Sequence, residues 1–295
     1  MVNEVNKKRK RIKISQVLIY IVLSVLAAIS LYPILNVLSQ SFSSANAINR
    51  NPAMIIPEEF TLEAYKYLLN TSILLRSFMI TVVVTLAGTF LAMCITVTCA
   101  YAISRVHVPG YKLMMWIVII PMLFGAGLIP TYVIISKLKL IDTIWVMILV
   151  GAFSPLNAIL MRNFFWGIPE SLEEAARLEG AGELKVLWKI VLPLSKPVIA
   201  TVSLFYAIGY WNDYFKGLYY ITSNTKWPLQ VLMKSIILDS NMQSMGSMTD
   251  VAQKAVQTEN IQSACIIFSM VPIMCVYPLL QKYFAGGLVI GAVKG

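Results

Sequence analysis

An all-α, polytopic membrane protein with six transmembrane helices is the fold class this sequence predicts, and three observations predict it. The 295 residues are 58% hydrophobic and only 13% charged, with a mean hydropathy of +0.73. A soluble domain of this size carries about 25% charged residues, so lipid is the solvent that suits this surface. Charge-free windows recur along the chain, and each is close to the roughly 20 apolar residues that a helix needs to cross a bilayer. The windows are continuous rather than alternating, so no β-barrel pattern competes.

The first span lies within Ile14–Asn49, centred on Val17–Leu38, directly after the basic run "KKRKRIK", Lys7 to Lys13. A basic start followed by apolar residues also describes a signal peptide, but this uncharged run exceeds an apolar signal core of about 7–15 residues, so it reads as a retained span. The second is Ser77–Ser104, the third Leu113–Ser136 and the fourth Thr143–Met161. The fifth runs from Val198 into "YWNDYFKGLYY", and the sixth is Ile261–Gln281. The third contains Pro121, Gly125, Gly127 and Pro130. Proline removes a helix hydrogen bond and crowds the preceding turn, so this span should bend or break. Irregular backbone at membrane depth survives only against protein or a water-filled cavity, which predicts that the span faces the bundle interior. A packing kink without further role is the alternative.

These spans divide the chain into a basic N-terminus (1–16), a six-helix domain (17–284) with a charged loop at 162–197, and a C-terminal tail (285–295). Of the 24 Lys and Arg residues, fifteen fall on the N-terminal side: the Lys7–Lys13 cluster, Arg105, Lys112, five in the loop, Lys282 and Lys294. Eight fall on the other side and Lys216 lies within the fifth span. The bias places both termini in the cytoplasm, although Lys137 and Lys139 run against it locally. The same clustering argues against a nucleic-acid partner despite a net charge of +10, because the basic residues do not line one helix face. Two outward loops follow, Ser39–Thr71, where Thr61 is placed to cap a short helix beginning at Leu62, and Thr222–Asn260, with the polar tip "NMQSMGSMTD". Cys94, Cys99, Cys265 and Cys275 all sit in apolar runs without paired spacing, and read as packing residues.

The segment Arg162–Pro197 is the one long stretch that is charged, amphipathic and helix-prone together. Ser171 followed by Glu174 is a capping-box pattern, which predicts a helix beginning at Leu172. Glu173 and Glu174 suit the positive end of its dipole, and Gly180 is placed to end it in the left-handed cap. In the next helix Leu184, Leu187, Trp188 and Val191 fall at i, i+3, i+4 and i+7. Ala175 and Ala176 form a small-residue face that another backbone can approach. Insertion into a groove on a partner protein fits this shape. A helix lying on lipid headgroups is the rival, but such helices carry basic faces, and Arg162–Lys196 holds five acids against five bases.

The fixed positions Glu174, Ala175, Ala176, Gly180, Ile190, Leu192 and Pro193 resemble the EAA loop, EAA-x3-G-x9-I-x-LP, of membrane subunits of binding-protein-dependent ABC importers. The stretches "GLIPTYVIISKLKLIDT", "LMRNFFWGIPESL", "YWNDYF", "WPLQVLM" and "GAVKG" are similar to the carbohydrate-uptake branch, more narrowly to maltose-type second permeases and lipoprotein-dependent sugar permeases of Gram-positive bacteria. The resemblance covers about Pro33 to Gly295; Ala285-Gly286 departs from it, where relatives often carry a bulkier residue followed by Lys. It implies a type I ABC importer permease fold in the bacterial plasma membrane, forming the path for a sugar or oligosaccharide with a second homologous permease. It also implies two ATPase subunits docked on the EAA loop and an extracellular solute-binding lipoprotein. The chain has no G-x4-GK[ST] phosphate loop, so it is expected to need no cofactor of its own, with ATP hydrolysed by the partner ATPase.

A permease for a non-sugar solute and a membrane-embedded enzyme are the alternatives. The enzyme reading needs clustered ionisable groups, yet the only His, His107, sits in a short turn. Asp213 and Lys216 are spaced to form an ion pair near the end of the fifth span. Trp211, Asn212 and Asp213 combine an aromatic face with hydrogen-bonding groups, as a sugar pathway requires; an aromatic belt at the lipid interface fits the same residues.

Overall fold

The computed structural model describes residues 14–243 and 251–287. The Lys7–Lys13 cluster, most of the polar tip at 244–250 and the final "GAVKG" lie outside the described residues. The described residues are helical almost throughout, and their only β pairing is an isolated bridge between Ser43 and Phe60. In order the helices are α1 (Ile14–Ser41), α2 (Ala45–Arg50), α3 (Glu63–Asn70), α4 (Ser72–Ser104), α5 (Tyr111–Leu123), α6 (Leu128–Lys137), α7 (Ile144–Leu149) and α8 (Pro155–Trp166). Then come α9 (Glu170–Leu178), α10 (Glu183–Val186), a π turn over Leu187–Val191, α11 (Leu192–Leu194), α12 (Lys196–Trp211) and α13 (Phe215–Tyr220). A single 3-10 turn at Asn224–Lys226, α14 (Leu229–Gln243) and α15 (Val251–Gly287) complete the chain.

Three described helical stretches are each long and apolar enough to cross a membrane: Gln16–Ser41, Ser72–Ser104 and Glu259–Val276. Two more pairs reach that length only across a bend: α5 with α6 at 115°, and Glu183–Leu194 with α12 at 85°. The expected third span therefore does break, between Pro121 and Leu128, with Gly127 at a φ of 80°. The expected fourth span also breaks, into α7 and α8, which the residue pattern alone did not show. The expected outward loop after Thr222 is largely helical, since α14 occupies Leu229–Gln243 and α15 starts at Val251. Thr61 serves its expected helix one residue late: its hydroxyl accepts from the Glu63 amide at 3.3 Å, at the start of α3.

The chain divides into two compact units, Met1–Leu68 with Ser240–Ile267, and Leu69–Asp239 with Phe268–Gly295. In the first, the loop after α1 is tied by side chains. Asn36 donates to the carbonyls of Pro52 and Met54 at 3.0 and 2.8 Å. The Glu59 carboxylate accepts from Ser44 and Arg50, and Phe42 stacks on Phe60 and Tyr65.

The second unit is built on α4. From Leu74 to Ala100 its buried positions are Leu74, Ser77, Thr81, Val84, Gly88, Ala92, Thr96 and Ala100, an unbroken three- and four-residue spacing. Most of these side chains are small, so neighbouring helices approach closely, as helices do in a bilayer where packing rather than water exclusion drives association. One core joins this stripe to Val146–Ile148, Met161, Phe165, Val186, Leu187, Val191, Val198, Val202 and Tyr206. Against the expectation that it faces the bundle interior, the bent third span contributes only Ile135 to this core. Of α5 and α6 only Val118 and Ile135 are buried, while Phe124 and Ile129 are about three-quarters exposed. The stripe on α4 is filled by α8 and α12, which leaves the break at 124–127 uncovered by this unit.

Candidate functional site

The charged loop forms two helices at an angle, and each end of the turn has a physical cause. α9 begins at Glu170, two residues before the expected start, and the expected capping box does not form. Pro169, at φ −58°, already opens the turn, so Ser171 lies inside it and has no free amide to cap. The exit is as expected. Gly180 takes a φ of 82°, its amide donates to Arg177 O at 2.9 Å, and the Ala181 amide donates to Ala176 O at 2.9 Å. This is a complete Schellman closure. A Cβ at Gly180 would meet open space, so the backbone angle alone demands glycine there.

The second helix departs from the expected amphipathic pattern. Pro193 has no amide to donate to Lys189, and the Leu192 amide instead reaches Leu187 O, five residues back. The resulting π turn shifts the register. Val186, Leu187 and Val191 become the buried face, whereas Leu184 and Trp188 are 73% and 69% exposed. Of the motif residues, Ala176, Ile190 and Leu192 are partly buried, and Ala176 and Leu192 pack on the core, while Glu174, Ala175 and Pro193 are exposed. Leu178 is 89% exposed, whereas Leu184 and Trp188 line an apolar groove with Phe90 and Val97 of α4.

The charges that hold this loop were missed by the sequence reading. Glu173, expected only to favour the helix dipole, is fully buried. Its Oε1 is 2.5 Å from Arg105 Nη2 and its Oε2 is 3.4 Å from Arg177 Nη2. Arg177 Nε donates to Glu183 at 2.8 Å and the Tyr101 hydroxyl donates to the same carboxylate at 2.6 Å. Arg177, with Tyr101, holds the Glu183 carboxyl below its ordinary range. The one signal in the sequence was Arg105 placed directly after the second span, where a cation suits a helix C-terminus.

A second constellation surrounds the break in the fourth span. Backbone freed at such a break must find partners within the protein. Tyr210 Oη donates to Ile148 O at 2.8 Å, and Tyr206 Oη accepts from Ser154 N at 2.9 Å while bonding Thr96 at 2.7 Å. Two tyrosines one turn apart on α12 thus satisfy both sides of the break. Gly88 on α4 permits this, because a Cβ there would lie 2.6 Å from the Tyr210 ring.

The three expected pathway residues lie at the end of α12 and do not share one environment. Trp211 is 6% exposed, donates to Ser269 O at 3.1 Å and meets Phe78 edge-on at 5.9 Å. That burial does not fit a belt residue at the lipid interface. It lines an apolar cavity of about 220 Å³ with Val82, Leu204 and Pro272. Asn212 is exposed at the helix end, and Asp213 pairs with Lys216 at 2.5 Å as expected. The pair spans a helix break: Asp213 Oδ1 also accepts from the Lys216 amide at 3.0 Å, opening α13. Lys216 Nζ lies over the Tyr210 ring at 4.9 Å and against Gly151, which has a φ of 101°.

Asp142, in the connector after α6, sits at a φ of 59° and was not singled out from sequence. Its carboxylate accepts from the Thr222 and Ser223 amides, the Ser223 hydroxyl and Lys226 Nζ at 2.7–3.1 Å. Lys226 foremost, with Ser223, holds this carboxyl far below the usual range. Among the described residues no three His, Cys, Asp or Glu side chains converge as metal ligands would.

Comparison with known proteins points the same way as the loop. Residues 108–289 match the family described as "Binding-protein-dependent transport system inner membrane component". The chain is 43% identical to Protein LplC of Bacillus subtilis, over 91% of this chain and 90% of that one. It is 39% identical to the polygalacturonan/rhamnogalacturonan transport system permease protein YtcP of the same organism, over 96% and 99%. Among solved structures, a chain of a bacterial ABC transporter involved in the import of the acidic polysaccharide alginate superposes with a TM-score of 0.84 at 33% identity, covering 92% of this chain and 96% of that one.

Proposed function

Because this chain belongs to the family of binding-protein-dependent transport system inner membrane components, we propose how its geometry serves import. It is a multi-pass membrane permease subunit of an ABC importer for a sugar or oligosaccharide, a transport component of the type I permease fold. The 162–197 loop is the ATPase-coupling element, and its shape carries that reading: a fixed left-handed turn at Gly180 leaves Glu174, Ala175 and Leu178 exposed for a partner. A lipid surface is a poor match for a face that exposes Glu174 and Glu179.

The remaining assembly follows from the same logic. Both termini and the loop face the cytoplasm, as the Lys and Arg bias requires. Two ATPase subunits hydrolyse ATP, this chain supplying no cofactor site of its own, and an extracellular solute-binding lipoprotein delivers the substrate. A second, homologous permease pairs with this one. The exposed break at 124–127 supports that pairing, because irregular backbone in a bilayer needs cover from protein or from a watered path. Trp211, Asn212 and Asp213 border the path.

The substrate is an acidic, uronate-containing oligosaccharide. Its support is that the permease named for polygalacturonan and the chain from the alginate importer are both more than 30% identical to this one. The test is uptake by the reconstituted complex of permeases, ATPase and binding protein, comparing oligogalacturonates with maltodextrins of equal length. Saturable, ATP-dependent uptake of the acidic sugars alone is expected. Uptake of the neutral sugars alone would overturn the acidic assignment.

A further inference from the structure

The loop is inserted in sequence between α8 and α12, yet its buried charge is gripped by neither. Glu173 on α9 is fully buried and bonds Arg105, 68 residues away at the C-terminal end of α4. Arg105 in turn lies over the Tyr101 ring, its guanidinium carbon 4.6 Å from the centroid, and Tyr101 bonds Glu183 at the start of α10. Arg177 closes the ring by contacting both Glu173 and Glu183. So both helices of the loop, one on each side of the Gly180 turn, are fastened to the last turn of α4. A buried carboxylate between two guanidinium groups resists separation, since either charge left alone in a low-dielectric interior is strongly disfavoured.

We propose that Arg105 and Glu173 are positioning residues for transport, forming a strut through which the loop and the second span move as one body. The proposal rests on the loop being the ATPase-coupling element. A loop held only by its own chain ends would pass motion to α8 and α12 and leave α4 to follow. With the strut, displacement of the loop is delivered directly to α4, the helix whose small-residue stripe packs on both α8 and α12. The polar ring is thus a mechanical connection and not only a stabilising contact.

The test is made on the assembled complex in proteoliposomes, reading ATP hydrolysed per sugar imported. Glu173→Gln keeps the side chain's shape and removes its charge. It is expected to raise that ratio at least about fivefold, the scale of an ordinary coupling free energy, while the ATPase subunits stay bound. Arg105→Gln should do the same, and the double variant should be no worse than either single one. An unchanged ratio, with uptake and hydrolysis falling together, would overturn the strut. Gly180→Leu separates the two readings: if it leaves ATPase binding and uptake intact the coupling-loop reading itself fails, whereas a defect there with no change in Glu173→Gln sinks the strut alone. Should the charge variants not assemble, spin labels at the exposed positions Val106 and Leu172 give a second measure. Their separation should be the same with and without ATP, and a nucleotide-dependent distance overturns the proposal.

Discussion

The loop at 162–197 and the broken fourth span at 144–166 both interrupt regular helix, and they are held by opposite chemistry. The backbone on both sides of the break is hydrogen-bonded by neutral groups, the Tyr206 and Tyr210 hydroxyls, and the charge beside it, Lys216 against Gly151, is paired with Asp213. The loop is sealed by charge, with Glu173 and Glu183 shared among Arg105, Arg177 and Tyr101, and by one left-handed glycine. Ionised groups are costly at membrane depth, so the hydrogen bonds at the break come from hydroxyls, while a segment at the rim can be held by ion pairs.

The largest effect should come from the packed side of this contrast. Trp211→Ala removes a buried indole with a backbone hydrogen bond and enlarges an adjoining apolar cavity. A stability loss of about 3–5 kcal/mol is expected, read as a lower thermal midpoint of the purified complex. If Trp211, Asn212 and Asp213 border the path, uptake per assembled complex falls as well, and Asp213→Asn lowers it without the stability loss. Unchanged normalised uptake in both variants would remove these residues from the pathway.

Next in size is Tyr206→Phe. It strips one hydroxyl that serves both Ser154 N and Thr96, leaving two buried polar groups without that partner. The expected cost is about 1–3 kcal/mol. Because no ion is involved, the loss should be the same in 50 mM and 500 mM salt, on the order of conditions that change screening of exposed charge several-fold. A salt-dependent loss would break the contrast between the two regions.

How much of this was legible in the sequence follows the same division. Loop features are local: Gly180 at the proper distance from Ala176, and acids at a helix start, can be read within twenty or so residues of chain. Even there Pro169, fixed at φ −58°, started the helix ahead of the capping box, and Pro193, lacking an amide for Lys189 O, left a π turn in the expected amphipathic helix. The break in the fourth span left no comparable trace. Its partners Tyr206 and Tyr210 lie 52 and 62 residues away in a span that is apolar all round, where helical periodicity gives no face. Glu173 looked like any other first-turn acid until Arg105 was seen across from it. The apolar runs were visible in composition, and Pro121 and Gly127 foretold the break in the third, whereas the break between α7 and α8 was settled by long-range packing.

Gly180→Ala tests the loop's backbone without adding bulk. Because a Cβ there meets nothing within 4 Å, the only penalty is the left-handed angle, about 1–2 kcal/mol. The expected result is weakened ATPase binding with normal membrane insertion. If Gly180→Leu is no worse than Gly180→Ala, backbone angle is the whole requirement. If it is much worse, the open space at Gly180 is filled by the partner.

The smallest effect, and the finest test of the contrast, concerns Asp142. It is a charged fastening in a connector outside the spans, so it should respond to pH where the tyrosine seal does not. Lys226 and Ser223 favour its ionised form, and its folded carboxyl therefore binds a proton less readily than an unfolded aspartate. The sign follows from linkage: stability from this group is fully present above about pH 5 and is lost as pH falls through the ordinary aspartate range toward the lowered folded value. Asp142→Asn is the variant to compare, since asparagine tolerates the left-handed backbone at φ 59° and keeps one acceptor for the Thr222 and Ser223 amides. Thermal midpoints of the purified complex should differ modestly at pH 7, and the difference should begin to narrow as pH falls below about 4. Tyr206→Phe, measured in parallel, should keep a constant difference from the parent across that range. If the Asp142→Asn difference is instead independent of pH, the carboxylate charge contributes nothing, and the connector is held by its amide and hydroxyl bonds alone.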